Sequence, residues 1–276
     1  MTTRRSFIKR SGTAAIGALV LPTMGCSAPS PAFGVQLYSF RDALAKDAIK
    51  TLEGIAGLGI KKIESARSDK GLYYGLRPEQ MGEVCADLGM QLISGHVHLD
   101  DTFENTMEQA AASGQEYVIC SSLPTNGQHI DNYKSVAEAF NKAGEACKKM
   151  GLKFGYHNHE YEFESDKGTV LYDILMDETV PELVHMELDL GWVIVAKKDP
   201  LHYFEKYPGR FPLWHLKDMN LANNESTEFG KGALDIKKMM QYQKQSGVDH
   251  IFIEQEEYAS TPMESMQHNM DFLKQL

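Results

Sequence analysis

From Phe33 to the C-terminus the chain repeats one pattern: a short apolar run, a polar connection, an amphipathic segment, a glycine, then another apolar run. Eight such runs stand out: FGVQLY from Phe33, IKKIE from Ile60, QLISGHV from Gln91, EYVIC from Glu116, KFGYH from Lys153, LVHMELD from Leu183, PLWHLK from Pro212 and HIFIEQ from His250. Each has the length and apolar content of a strand in a parallel sheet, buried on both faces. Between them, apolar positions at helical spacing predict helices over Asp42–Leu58, Pro78–Leu88, Asn132–Met150 and Asp235–Ser246. Gly59, Gly89, Gly114, Gly151 and Gly247 each fall between a helical segment and the next strand, where a left-handed residue closes a helix. Alternating strands and helices predict a parallel sheet. Eight repeats with no glycine-rich dinucleotide loop after the first strand predict a single (β/α)8 TIM barrel over residues 33–276 rather than a doubly wound sheet.

In such a barrel, chemistry gathers where the strands end. Those ends carry Gln36 and Tyr38, Glu64, His96 and His98, His157 and His159, Glu187 and Asp189, His215 and Lys217, and Glu254 and Glu256. A rim built for stability alone has no reason to collect so many groups that are costly to desolvate. The densest stretch is FGYHNHEYEF, residues 154–163. Residues two apart share one face of a strand, so His157 and His159 are expected side by side, and paired imidazoles ligate metals or move protons. The plainer alternative is a strand end meeting water, with Glu160, Glu162 and Glu164 as a solvated charge run.

The first residues are of another kind. TRRSFIKR precedes an apolar run from Ser11 to Leu21 that is too short to span a bilayer. Residues 1–26 resemble a twin-arginine export signal, which implies an exported, periplasmic protein. Cys26 in TMGC resembles a lipoprotein cleavage cysteine, although Thr23 stands where such sites usually carry Leu, so a lipid anchor stays open and is the only membrane attachment indicated. Of the 28 Lys and Arg residues, Arg4, Arg5, Lys9 and Arg10 lie in this segment with no acid beside them, leaving 24 basic groups against 38 acidic ones, a net charge of −14. Such a charge disfavours nucleic acid and anionic membranes as partners. Cys85, Cys120 and Cys147 have neither metal nor redox spacing and are expected to be buried thiols.

The motifs FGVQLYSFRD, YHNHEYEF, MELDLGW, LWHLKDM, FGKGALD and IFIEQE together make residues 33–276 resemble the xylose-isomerase-like superfamily of barrel enzymes, which includes sugar phosphate isomerases/epimerases. In the sugar epimerases of that group one divalent metal is held by Glu, Asp, His and Glu at the ends of the last four strands. The matching positions are His157, Asp189, His215 and Glu254, so three of four agree in type and the first departs. The resemblance implies one divalent ion, Mn, Co, Zn or Mg, and proton abstraction next to a carbonyl with Glu254 as base. His157, Asp189 and His215 would complete the metal shell, with Lys217 and His159 polarising or protonating oxygens. Gln36, Tyr38, His96, His98 and Trp192 are the expected substrate contacts, with Phe40 as a further aromatic face.

A carbohydrate isomerase or epimerase is the first reading, and the absence of an evident basic phosphate cradle favours a sugar without phosphate. His157 and the HLKD sequence, residues 215–218, are similar instead to inosose dehydratases, so a sugar lyase or dehydratase is the alternative. A barrel that binds sugar without turnover is a third. The multi-metal DNA-repair endonucleases of the superfamily fit the acidic charge poorly. From the residues alone Asp189 also suits a helix cap, His215 a core imidazole, Glu254 an ion pair with Lys217, and Gly230 and Gly232 a structural loop. Whether the barrel forms a homo-oligomer is not fixed by the sequence.

Overall fold

The computed structural model describes residues 33–276, so the expected export signal and Cys26 lie outside the described residues. Seven of the eight apolar runs contain a strand and the second overlaps one that continues two residues past it: Gly34–Gln36, Lys62–Ala66, Gln91–Val97, Tyr117–Cys120, Lys153–His157, Val184–Asp189, Leu213–Leu216 and His250–Ile253. All pair in parallel in chain order, and the eighth returns to pair with the first, Gly34 opposite Phe252 and Val35 opposite Ile253. The fold is therefore a (β/α)8 barrel. Two short hairpins lie outside it, Ser165–Asp166 with Thr169–Val170 and Asp218–Asn220 with Glu225–Thr227.

The larger core, from Val35 through Leu273, lies between strands and helices. A separate cluster of Ile93, Tyr117, Ile119, Leu213 and Phe252 fills the lower barrel interior. Glycine is required beside it. A Cβ at Gly34 would lie 2.5 Å from the Phe252 ring and one at Gly155 2.6 Å from Ile119 Cδ1. Above this plug, inward positions turn from apolar to ionisable: Leu213 is followed two residues later by His215, and Phe252 by Glu254. The apolar layer thus forms the floor on which the polar site stands.

Helices depart from expectation at three places. The segment 42–58 is broken into Arg41–Lys46 and Ala48–Gly57, because the extended Asp47 caps the second piece by accepting the Lys50 N–H at 3.0 Å. Over 235–246 the chain forms two single turns, Ile236–Met239 and Gln243–Ser246, joined by a 3-10 turn. The helix expected from Asn132 begins at Ile130, since the His129 ring takes the Asn132 N–H. All five helix-closing glycines have positive φ, from 68° to 85°. Among the described residues no helix is long and apolar enough to cross a membrane. Cys85, Cys120 and Cys147 are buried and free.

Candidate active site

Strand ends deliver a stack of buried ionisable groups over the apolar floor. Gln36, Glu64, His157, Glu187, Asp189, His215, Lys217 and Glu254 are all buried. In the inner layer Glu64 accepts from Gln36 Nε2 at 2.8 Å and Ser94 Oγ at 2.6 Å, and lies 2.6 Å from His215 Nε2. Glu187 Oε2 lies 2.9 Å from His96 Nε2 and 3.3 Å from His215 Nε2. The His96 and His215 rings stack 5.2 Å apart, and the His157 ring sits 4.8 Å and 4.5 Å from them. His215 bridges the layers, because its Nδ1 meets Glu254 Oε2 at 3.0 Å. It is buried, but its partners are carboxylates on both sides rather than the contacts of an ordinary core imidazole.

The outer layer is centred on Lys217. Its ammonium lies 2.6 Å from Glu256 Oε1, 2.9 Å from Glu254 Oε2, 3.5 Å from Asp189 Oδ2 and 4.6 Å from the Trp192 ring centre. Burial opposes its charge, and Glu254, Asp189 and Glu256 outweigh burial and hold it well above the ordinary lysine range. For Glu254, burial resists ionisation, while Lys217 and then His215 hold its carboxyl well below the usual carboxylate range. Asp189 keeps both readings of its role: Oδ1 caps the following helix through the Trp192 N–H at 2.9 Å, and Oδ2 points to His157 at 3.4 Å. Asn158 braces the fifth and sixth strands, its Oδ1 taking the Asp189 N–H at 3.0 Å. His157 is held well below the ordinary imidazole range by burial and by His215, and His159 is pushed down to about 4 by burial and Lys217.

These groups border a pocket of about 290 Å³, lined among others by Tyr38, His96, His98, His157, His159, Trp192, Lys217 and Glu254, a size suited to one small ligand. Two expected substrate contacts are elsewhere. Gln36 is fully buried behind Glu64, where its Oε1 also caps the Tyr38 N–H, and Phe40 belongs to the core. His159 lies beyond the end of the fifth strand, yet its ring still meets that of His157 edge-on at 5.0 Å. The solvated charge run is overturned at Glu162, which has no exposed surface and accepts from Tyr156 O–H and from the His159 N–H. In the sequence Glu64 and Glu187 are strand-end acids without an assigned role, and Arg67 and Ser121 of the pocket wall carry no signal of their own. The signal for Glu64 is a carboxylate at an inward position of a strand.

A divalent metal ion fits this donor set. His157, Asp189, His215 and Glu254 offer atoms within 4.8 Å of one another, and so do His96, His157, Glu187 and His215. Buried His157 Nδ1 and Glu187 Oε1 have no hydrogen-bond partner, which is costly unless something else satisfies them. The FGKGALD loop, by contrast, is structural: Asp218 accepts N–H bonds from Met219, Gly230, Gly232 and Leu234 at 2.9–3.0 Å.

An inosose dehydratase of Clostridium perfringens is 33% identical over 114 residues, which is 38% of this chain and 36% of that protein, so the match spans little more than a third of the relative's length. Among solved structures, a sugar phosphate isomerase/epimerase of Parabacteroides distasonis superposes with a TM-score of 0.80 at 26% identity, covering 88% of this chain and 98% of its own. The 3-keto-D-glucoside 4-epimerase of E. coli, at 11% identity, shares the fold with a TM-score of 0.68 over 89% of this chain and 100% of its own. The description of one family, the xylose isomerase-like TIM barrel, matches residues 53–276, from within the first long helix to the last residue. With that match and a closed ring of eight parallel strands, the chain belongs to the xylose isomerase-like TIM barrel family.

Proposed function

We propose that this protein is an enzyme that removes a proton from the carbon beside a carbonyl of a small, non-phosphorylated carbohydrate, and that the resulting enolate eliminates an oxygen substituent from the next carbon. The observation that carries this reading is the contact between Glu254 and Lys217 at the pocket floor, 2.9 Å apart. An anionic carboxylate beside an ammonium supplies a base and an oxyanion partner on one side of the ligand. Glu254 takes the proton. Lys217, held by Glu256 and facing Trp192, stabilises negative charge as it forms on oxygen and gives its proton to the departing oxygen, which neutral His159 in the same pocket hydrogen-bonds. A divalent ion held by His157 and His215, with either Asp189 and Glu254 or His96 and Glu187, would polarise the carbonyl as a Lewis acid. Arg67 at the pocket wall is already paired with Asp100 at 3.1 Å, which supports a ligand without phosphate. Dehydratase activity in the Clostridium relative supports the same direction.

Isomerisation or epimerisation shares the first step and is the second reading, supported by the names of the structural neighbours. A two-base epimerisation needs a second proton donor facing Glu254. Three strands away on the ring stands His157, whose environment disfavours the protonated form. The test is to incubate metal-loaded protein with free sugars, inososes and 3-keto-glycosides in D2O and follow them by NMR, with Glu254→Gln as control. Loss of water or an aglycone is the expected outcome. Deuterium beside the carbonyl with all hydroxyls retained would replace elimination by isomerisation, and no exchange with any substrate would remove the enzymatic reading. We further propose that residues 1–26 direct this activity to the periplasm.

A further inference from the structure

We infer that the substrate of this barrel is a glycoside, and that a second cavity, between the loop after the fourth strand and the turn after the fifth, holds the neutral, hydroxyl-rich sugar that leaves with the glycosidic oxygen. The inference rests on the elimination proposed above and adds which oxygen departs and where its substituent lies.

The second cavity has a volume of about 330 Å³ and is lined by Ser122, Thr125, Asn126, Gln128 and Tyr161, among others. Among the described residues none of the side chains in its wall is charged. The pocket of the active site has a similar volume, about 290 Å³, but its wall includes Arg67, Lys217, Glu254 and Glu256. The two spaces adjoin at two contacts. Ser122 Oγ lies 2.7 Å from Nδ1 of His98, and the Tyr161 hydroxyl lies 3.3 Å from Nδ1 of His159. His98 and His159 line the first space, Ser122 and Tyr161 the second. Hydroxyl and amide side chains both donate and accept hydrogen bonds, as sugar hydroxyls do, whereas a phosphate or carboxylate would find no cation there.

An aromatic wall connects the proton donor to this cavity. Lys217 Nζ stands 4.6 Å from the Trp192 ring centre, the Trp192 ring is 6.0 Å from that of His159, and His159 stacks on Tyr161 at 5.3 Å with the planes 10° apart. Such faces suit the apolar side of a sugar ring. With the Tyr161 O–H donating to Nδ1, neutral His159 carries its proton on Nε2, the nitrogen left for the departing oxygen. A substituent on that oxygen continues along the same wall to Tyr161.

The cavity is also held in place without a ligand. Gln128 Oε1 accepts the Tyr133 O–H at 2.9 Å, Asn132 Nδ2 donates to the Gly127 carbonyl at 2.9 Å, and Thr125 Oγ1 donates to Asn132 Oδ1 at 2.7 Å. The first turns of the helix from Ile130 thereby fix the loop, and the Gln128 amide keeps its N–H groups for a ligand. A wall already ordered lowers the cost of binding.

In the step itself Glu254 removes the proton beside the carbonyl. The C–H electron pair becomes the new C=C bond as the C–O bond on the next carbon breaks. The glycosidic oxygen leaves with that bond pair and takes a proton from Lys217. The products are an unsaturated keto sugar and a free sugar alcohol group, with no change of total oxidation state. Transfer of the proton from Glu254 to Lys217, 2.9 Å away, restores the pair.

The test has a binding arm and a turnover arm. Maltose, cellobiose and the two methyl glucosides lack the carbonyl and do not react, and their affinity for the metal-loaded protein is read by titration calorimetry. At least one disaccharide is expected to bind about tenfold more tightly than its methyl glucoside. Asn126→Trp, which fills the cavity from an exposed loop position, and Gln128→Ala are each expected to remove most of that advantage. With the 3-keto derivatives of the same four compounds, both variants should lower the ratio of kcat/KM for disaccharide over methyl glycoside by about tenfold. Methyl glucosides that bind as tightly as both disaccharides, or an advantage that neither variant reduces, would overturn the inference. A disaccharide advantage that the variants remove, in a protein that releases no alcohol from any keto sugar, would keep the sugar-binding cavity and remove the proposed elimination. Release from the keto methyl glycosides with both disaccharides refused would do the opposite.

Discussion

Replacing Lys217 by Met tests whether the ammonium is what makes the outer carboxylates tolerable. Methionine keeps the length and apolar stem, removing only the charge that lies 2.9 Å from Glu254, 3.5 Å from Asp189 and 2.6 Å from Glu256. At an effective dielectric of about 20, a unit pair at 2.9 Å interacts by about 6 kcal/mol, and the recovered desolvation of lysine returns part of it. Breaking a buried pair from one side costs about 3–5 kcal/mol, because the partner charge stays behind. A loss of about 4 kcal/mol corresponds to a Tm lower by roughly 8–16 °C in a chain of this size. In the unsubstituted protein the depressed pKa of Glu254 gives stability that is present above the unfolded carboxylate pKa and lost as pH falls through the folded one. Without Lys217 the largest part of that depression goes, leaving His215 alone against burial, and the penalty of the uncompensated carboxylates is relieved by acid. The gap between the two proteins, read by urea unfolding, is therefore expected to narrow from pH 7.5 to pH 5. A variant within about 1 kcal/mol of the parent at pH 7.5, or a gap that widens in acid, would refute the assignment of Lys217 as the counter-charge. In turnover the variant should lose about 10²–10⁴ in kcat.

Three further outcomes follow from single contacts. Glu162 is pushed up to about 8, by burial against the bonds from Tyr156 and His159, so its contribution is fully present below the unfolded carboxyl pKa and is lost as pH rises through about 8. Glu162→Gln should flatten the decline in stability between pH 5 and pH 8, and an unchanged slope in urea midpoints would count against it. Gly232→Ala would put a Cβ 2.2 Å from Asp218 Oδ1, and is expected to cost about 2–3 kcal/mol by pulling that carboxylate from its backbone donors. Equal denaturation midpoints would mean that the loop relaxes freely. Trp192→Ala removes the aromatic face beside Lys217 and should raise KM about tenfold, with a smaller effect on kcat, if the ring also packs a sugar. A fall in kcat alone would instead assign Trp192 to holding the ammonium.

Local physics was legible in the chain by itself. Eight apolar runs, five glycines with positive φ and a single alternation of elements were enough for the barrel, since each depends on neighbours a few residues away. The rim was legible for a related reason. In a parallel barrel every strand ends at the same face, so reading the last residues of each run collects groups that are far apart in sequence, from Tyr38 to Glu254. Helix breaks were less visible: Asp47 interrupts a helical pattern because its own carboxylate caps the next turn, a competition between local bonds that periodicity does not register.

Which end residues face the pocket and which lie beneath it was decided only by closure of the ring. Gln36 and Phe40 sit beside Tyr38 in sequence but point into the layer below or the core. Glu64 meets His215, 151 residues later, and Glu187 meets His96, 91 residues earlier, so the inner carboxylate and histidine layer has no signature in spacing. Glu162 looks like one of three solvent-facing acids, yet the turn after the fifth strand folds it inward onto Tyr156 and His159. Charge at a single residue is written in the sequence. Its burial, its partner and therefore its chemistry depend on strands that meet only when the barrel shuts.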